Sequence, residues 1–167
     1  MSRRLETATV AHVPGIRAIY NEAIRTLSAT FDTEEKSHDD RVRWLSERSE
    51  RHPVVVALAG AEVVGWGALS PFSDRPAWGR TVENAVYIAE GHRGQGWGDE
   101  ILTELMKRAR TIGHHVVIAR IVGGNAASMR LHERHGFELS GTLREVGWKF
   151  ERWHDVVLMQ AMVLAAE

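Results

Sequence analysis

Apolar and polar positions along this chain follow two periods, and the switches between them mark its elements. Residues 5–10 alternate and carry Thr7 and Thr9, which predicts a short first strand. From Pro14 onward the period lengthens. Ile16, Ile19, Tyr20, Ala23, Ile24 and Leu27 recur on one face of a helix that ends near Leu27. Residues 28–36 read as a loop in which Phe31 is the side chain that points at something useful. Ser37 or Asp39 can cap a second helix running to about Arg48, with Val42, Trp44 and Leu45 partly inward. The period returns to two over 53–58 and 63–69, a hairpin turned by Gly60-Ala61-Glu62. Residues 70–80 are polar and irregular, and 81–88 form the next strand. Ile101, Leu102, Leu105, Met106 and Ala109 then give a helix over 100–110, closed by Gly113. The near-continuous apolar run 115–121 predicts a central strand buried on both faces. A short helix begins at Asn125 or Ala126 and stops at Gly136. Residues 137–143 and 156–163 are the last strands, joined by 146–153, where Trp153 is the tryptophan expected to be buried. The economical architecture is α+β with a mixed central sheet.

Composition narrows the class. At 167 residues, 44% of them apolar, a single domain spanning 1–167 with one sizeable core is expected. A net charge of −1 without a long run of one sign argues against nucleic acid as a partner. The absence of cysteine removes disulfides, a thiol nucleophile and cysteine metal sites. The first residues lack the apolar run of a signal peptide and no segment is long enough to span a membrane, so a cytoplasmic protein is expected.

The chemistry concentrates after the strand 81–88, in Glu90-Gly91-His92-Arg93-Gly94-Gln95-Gly96-Trp97-Gly98-Asp99. Glycines at 94, 96 and 98 permit positive φ and close approach of a ligand to the backbone. The helix that follows leaves its first N–H groups unpaired, and its dipole adds roughly half a positive charge there. Strand, glycine turn and helix N-terminus make an anion site suited to a phosphate or pyrophosphate. The spacing is not the dinucleotide Gly-x-Gly-x-x-Gly, because Asp99 stands at the last glycine, and no Gly-Lys-Ser/Thr follows as in a Walker loop.

Arg93-x-x-Gly96-x-Gly98 resembles the Arg/Gln-x-x-Gly-x-Gly/Ala signature of the GNAT acetyltransferases. Asn125-Ala126-Ala127-Ser128-Met129-Arg130-Leu131-His132-Glu133-Arg134-His135-Gly136-Phe137 is similar to the family's second pattern, Asn-x-x-Ala/Ser-x-x-x-Tyr-x-x-x-Gly-Phe. Within the family the chain looks like the branch of phosphinothricin and methionine-sulfoximine N-acetyltransferases. The stretches that carry this are Ile19-Tyr20-Asn21-Glu22-Ala23, Thr81-Val82-Glu83-Asn84-Ala85-Val86-Tyr87, Leu131-His132-Glu133, Gly147-Trp148-Lys149-Phe150 and Trp153-His154-Asp155-Val156. The resemblance implies a GNAT fold, a largely antiparallel sheet of about seven strands flanked by about four helices. It also implies acetyl-CoA as cosubstrate and direct transfer to the α-amine of a small amino acid or analogue. A homodimer is the expected assembly. A polyamine, an aminoglycoside or a protein N-terminus is the alternative acceptor, and a non-catalytic coenzyme A sensor the alternative function.

Residue by residue, the resemblance implies that the strand before the turn bulges and splays from its neighbour. Backbone groups of Val86, Tyr87 and Ile88 would pair with the pantetheine arm, and an N–H there would stabilise the oxyanion. Arg93 heads the signature, and amides of Gly94, Gln95, Gly96, Trp97, Gly98 and Asp99 would hold the pyrophosphate. Asn125 would bond the pantetheine, with Ser128 close by. Glu83 would be the general base, directly or through water. His132 stands where many relatives carry a tyrosine; it would contact the substrate's acidic group or carry a proton. Arg75, with Pro76 and Ala77, would anchor the acceptor by a two-point guanidinium contact. Phe31 and Trp78 would wall the pocket, and Lys149 would meet an acidic group on the substrate. Trp97 and Asp99 depart from the family's usual residues. Trp97 would pack on the helix or lie near the cofactor, and Asp99 is expected to point outward. His132 and His135 lack a third ligand, so no metal is expected.

Overall fold

A computed structural model describes residues 2–163. Its order is β1 (Arg3–Thr7), α1 (Val13–Thr26), α2 (His38–Ser46), β2 (Val54–Ala59), β3 (Glu62–Pro71), β4 (Thr81–Ile88), α3 (Trp97–Ile112), β5 (Val116–Val122), α4 (Ala126–Arg134), β6 (Glu138–Lys149) and β7 (Arg152–Met162). The seven strands make one sheet in the order β1-β2-β3-β4-β5-β7-β6. Among the described residues only the β4–β5 pair is parallel.

Two-residue alternation on β2 sorts the core into two layers. Val55, Ala57 and Ala59 pack with Ile101, Leu102 and Leu105 of α3. Val54, Val56 and Leu58 pack with Ile16 and Ile19 of α1 on the other face. Gly65 and Gly67 of β3 let α3 come close, since a Cβ at Gly67 would lie 2.5 Å from Ile101 Cγ2 and 3.0 Å from Leu105 Cδ1. No helix among the described residues is long and apolar enough to cross a membrane.

The feature that makes the site is a divergence. β4 pairs with β3 from Val82 to Ile88 without a register shift, so the bulge that the family resemblance implies is not found on that side. Against β5 it pairs only over Thr81, Val82 and Glu83. From Asn84 onward β4 and β5 separate, which is the implied splay. β5 is consequently not buried on both faces as its apolar run predicts. Val117, Ala119 and Ile121 enter the core, whereas Arg120 is exposed.

Three further expectations are corrected. β1 begins at Arg3 and ends at Thr7; Val10 opens a 3-10 turn and is exposed. The segment 146–153 is not a connection but the end of a long β6–β7 hairpin, closed by Phe150 and Glu151 at φ 55° and 58°. That two-residue turn needs positive φ at both positions, which Asn-Gly would advertise and Phe-Glu does not. Trp153 is 57% exposed, because it lies on the outward face of that hairpin, edge to face with Trp148.

Candidate active site

The gap between β4 and β5 opens into a cavity of about 660 Å³ that runs from the glycine turn past the ends of both strands to the 28–31 loop. A space of this size suits a small-molecule ligand. At one end, Gly96 caps α3 in the left-handed region at φ 86°, and Gly94 has φ 72°. Neither position crowds a ligand: a Cβ at Gly94 would meet nothing within 4 Å. The first bond closing α3 runs from Glu100 N–H to Gly96 O, so the amides of Trp97, Gly98 and Asp99 have no acceptor within the helix. These donors at a helix N-terminus fit a diphosphate.

Arg3 of β1 supports the turn from behind. Its guanidinium lies 3.6 Å from the centre of the Trp97 ring, donates to Gln95 O at 3.2 Å and pairs with Glu100 at 2.6 Å. The Trp97 side chain is buried in the core rather than in the cavity. Gln95 donates to Gly91 O at 3.0 Å, which braces the turn. Arg93 lines the cavity but donates to Ile88 O at 3.1 Å and pairs with Glu22 of α1 at 2.6 Å. Asp99 does not point freely outward: Arg134 at 2.9 Å and His135 at 3.1 Å hold it. Arg134 is the main cause that keeps its carboxyl below the usual range. A charge-paired carboxylate repels a neighbouring phosphate less than a bare one.

Along the wall, Val86, Tyr87 and Ile88 line the cavity where β4 has left β5. Burial lifts the Tyr87 hydroxyl to about 12, so it stays protonated at neutral pH. Asn125 caps α4, its Oδ1 accepting from Ser128 N–H at 3.1 Å, which leaves Nδ2 as its free donor. His132, 5% exposed, is held from both sides. Its Nδ1 lies 2.7 Å from Ser128 O, which can only accept, so Nδ1 carries the proton. Nε2 therefore holds a lone pair and accepts from Asn84 Nδ2 at 2.9 Å. Burial, more than any neighbour, depresses the His132 pKa and favours the neutral ring. Asn84 was not foreseen; its Oδ1 is buried with no partner among the described residues.

At the far end stands Glu83, the last β4 residue paired with β5. Its side chain is 28% exposed, and Oε2 lies 3.3 Å from Arg120 Nη2. Burial raises its pKa and outweighs the opposing effect of Arg120. A carboxylate with raised affinity for protons suits a base. Phe31 is at the rim, packed over Gly147, where any Cβ would collide with its ring.

The remaining acceptor candidates are placed elsewhere. Arg75, Pro76 and Ala77 are exposed and lie outside the cavity lining. Trp78 packs against Phe72 with the rings tilted, 5.0 Å between their centres. Lys149 is buried and outside the cavity lining: its Nζ donates to Leu27 O at 2.7 Å and Thr30 O at 2.8 Å. It ties down the loop that walls the cavity. Asn21 does the same from α1, with Oδ1 accepting from Lys36 N–H at 2.8 Å and Nδ2 donating to Lys36 O at 3.0 Å. No group of three or more metal-ligating side chains is found among the described residues.

The model of the acetyltransferase (GNAT) family matches residues 16–137. A methionine sulfoximine and methionine sulfone acetyltransferase of Pseudomonas paraeruginosa is 40% identical over 96% of this chain and 94% of its own length. A phosphinothricin N-acetyltransferase of Streptomyces coelicolor is 36% identical over 90% of this chain and 94% of its own. Among solved structures, a GNAT phosphinothricin acetyltransferase from Sinorhizobium meliloti in complex with acetyl-CoA superposes with a TM-score of 0.92. It is 33% identical, over 98% of this chain and 89% of its own.

Proposed function

The chain belongs to the GNAT acetyltransferase family, and from that premise we propose that it transfers the acetyl group of acetyl-CoA to the α-amine of a small amino acid. The acceptors we favour are methionine sulfone, methionine sulfoximine and phosphinothricin, after the relatives named for them. The observation that carries this reading is the cavity joining the glycine turn to Glu83 through the gap between β4 and β5. Bound acetyl-CoA would supply an activated acyl thioester. The chain supplies the rest.

Free amides from Gly94 to Asp99 receive the diphosphate, and the unpaired edge of Val86, Tyr87 and Ile88 aligns the pantetheine with Asn125 opposite. Glu83 accepts the proton that the acceptor's ammonium must lose before its nitrogen can attack. His132 is neutral and its lone pair is filled by Asn84, so we assign it to shaping the acceptor pocket rather than to carrying the proton. Most of the acceleration comes from holding two substrates in line.

Purified protein incubated with acetyl-CoA and each of the three acceptors, beside a polyamine, an aminoglycoside and an alanyl peptide, tests this by thiol release. Turnover on the amino acids supports the reading; turnover confined to the other amines overturns it. We also propose a homodimer through the β6–β7 hairpin. Leu143, Val146, Trp148, Phe150 and Trp153 are each 45–57% exposed there, and apolar side chains exposed together on one element suit a protein interface.

A further inference from the structure

Arg120 interrupts the apolar run of β5, and the fold puts it beside the proposed base. Glu83 pairs with Ile118, and the two-residue period of a strand turns Arg120 to the same face as Ile118. Its Nη2 meets Glu83 Oε2 at 3.3 Å inside the cavity lining. The Phe72 ring, 5.3 Å from the guanidinium carbon, backs it from the β3–β4 connection. The other cations near the cavity are engaged. Arg93 holds Glu22 and Ile88 O, Arg134 holds Asp99, and Lys149 holds two backbone carbonyls.

We propose that Glu83 and Arg120 together form a zwitterion site that selects acceptors carrying a free carboxylate beside the amine. The inference rests on the acetyltransferase reading above and adds what the acceptor must be. In an α-amino acid the ammonium nitrogen and a carboxylate oxygen are about 3 Å apart by covalent geometry. The Glu83–Arg120 pair is an ion pair of opposite polarity and similar span. A zwitterion entering the gap exchanges one ion pair for two, its carboxylate on the Arg120 fork and its ammonium on Glu83. Both the half-exposed guanidinium and the partly buried carboxylate keep an ionic partner. The exchange also releases Glu83 from Arg120, leaving its carboxylate to take the ammonium proton. An amine without the carboxylate shares Glu83 with Arg120 and offers the guanidinium no new partner. Polyamines, aminoglycosides and peptide N-termini are all of that kind.

The test compares methionine sulfone with the amine made by replacing its α-carboxylate by hydrogen, using wild type, Arg120→Ala and Arg120→Lys. The quantity read is the ratio of the two kcat/KM values. In wild type the amino acid is favoured. In Arg120→Ala that preference falls by about 10- to 100-fold, through KM for the amino acid, as for loss of a charge-assisted contact. Arg120→Lys retains part of it. An unchanged ratio in Arg120→Ala overturns the zwitterion site and leaves the acetyltransferase reading standing. Wild-type turnover of the bare amine alone overturns the acceptor assignment itself. If Arg120→Ala turns over neither compound, calorimetric titration of the coenzyme A-loaded protein reads the same preference as affinities. Selective loss of the amino acid supports the site, and equal loss of both ligands overturns it.

Discussion

Replacing Glu83 by glutamine moves activity and stability in opposite directions. Glu83 has 28% of its side chain exposed and one cation at 3.3 Å, and burial still prevails, so its carboxyl binds a proton more tightly in the folded chain than in the unfolded one. The folded state then holds more protons, and stability declines as pH rises through the folded pKa. What this group contributes is intact below the unfolded carboxylate value of about 4.3 and is lost above the raised one. Glutamine removes that decline. Glu83→Gln should therefore melt higher than wild type at about pH 8, and the difference should shrink toward about pH 4. Its single-turnover rate of thiol release should fall by about 10²- to 10⁴-fold, the usual contribution of a positioned base. That is about 2.7–5.4 kcal/mol of barrier. Thermal melts at the two pH values and rapid-mixing assays with methionine sulfone read both. A rate within about threefold of wild type would remove Glu83 as the base. A melt lowered at the higher pH would mean that the Arg120 pair outweighs burial.

Further consequences are equally direct. Lys149→Met removes two charge-assisted bonds to Leu27 O and Thr30 O, at about 1.5–3 kcal/mol each at most. A net loss of about 3 kcal/mol should lower Tm by about 6–12 °C; an unchanged Tm with a raised acceptor KM would make Lys149 a substrate ligand instead. The His132 ring should titrate below the ordinary 6.5, with nitrogen shifts of the Nδ1–H form, in a pH series followed by NMR. A midpoint above that value would contradict its burial against Asn84. Changing both Trp148 and Trp153 to serine should convert a dimer to a monomer in sedimentation; an unchanged mass would exclude the hairpin as the interface.

Much of this arrangement is legible in the residue pattern, and where it is not the reasons are physical. β4 runs from Thr81 to Ile88, the bounds read from the sequence, and Ser37, Gly113 and Asn125 end or begin their helices as capping chemistry requires. The β6–β7 hairpin was hidden because Phe150 and Glu151 adopt a turn that glycine and asparagine normally signal. Trp153 and Lys149 exchanged their ordinary places. The tryptophan lies on an uncovered sheet face, whereas the lysine is buried because two carbonyls of a loop more than a hundred residues away await it. Composition cannot anticipate either. Arg75 carried the expected chemistry at an exposed position. The cation that reaches Glu83 is Arg120, and its signal was present as a lone charge within Val116-Val117-Ile118-Ala119-Arg120-Ile121-Val122.

If the amides of the glycine turn and the first turn of α3 hold a diphosphate at one end of the cavity, that diphosphate must supply much of the affinity for coenzyme A. Calorimetric titration with coenzyme A and, separately, with pantetheine isolates that contribution, because the two share the arm and differ in the diphosphate and nucleotide. Coenzyme A should bind at one site per chain, and pantetheine weaker by at least about 100-fold, as expected when several charge-assisted hydrogen bonds are lost. Equal affinities, or no heat with coenzyme A, would contradict the account.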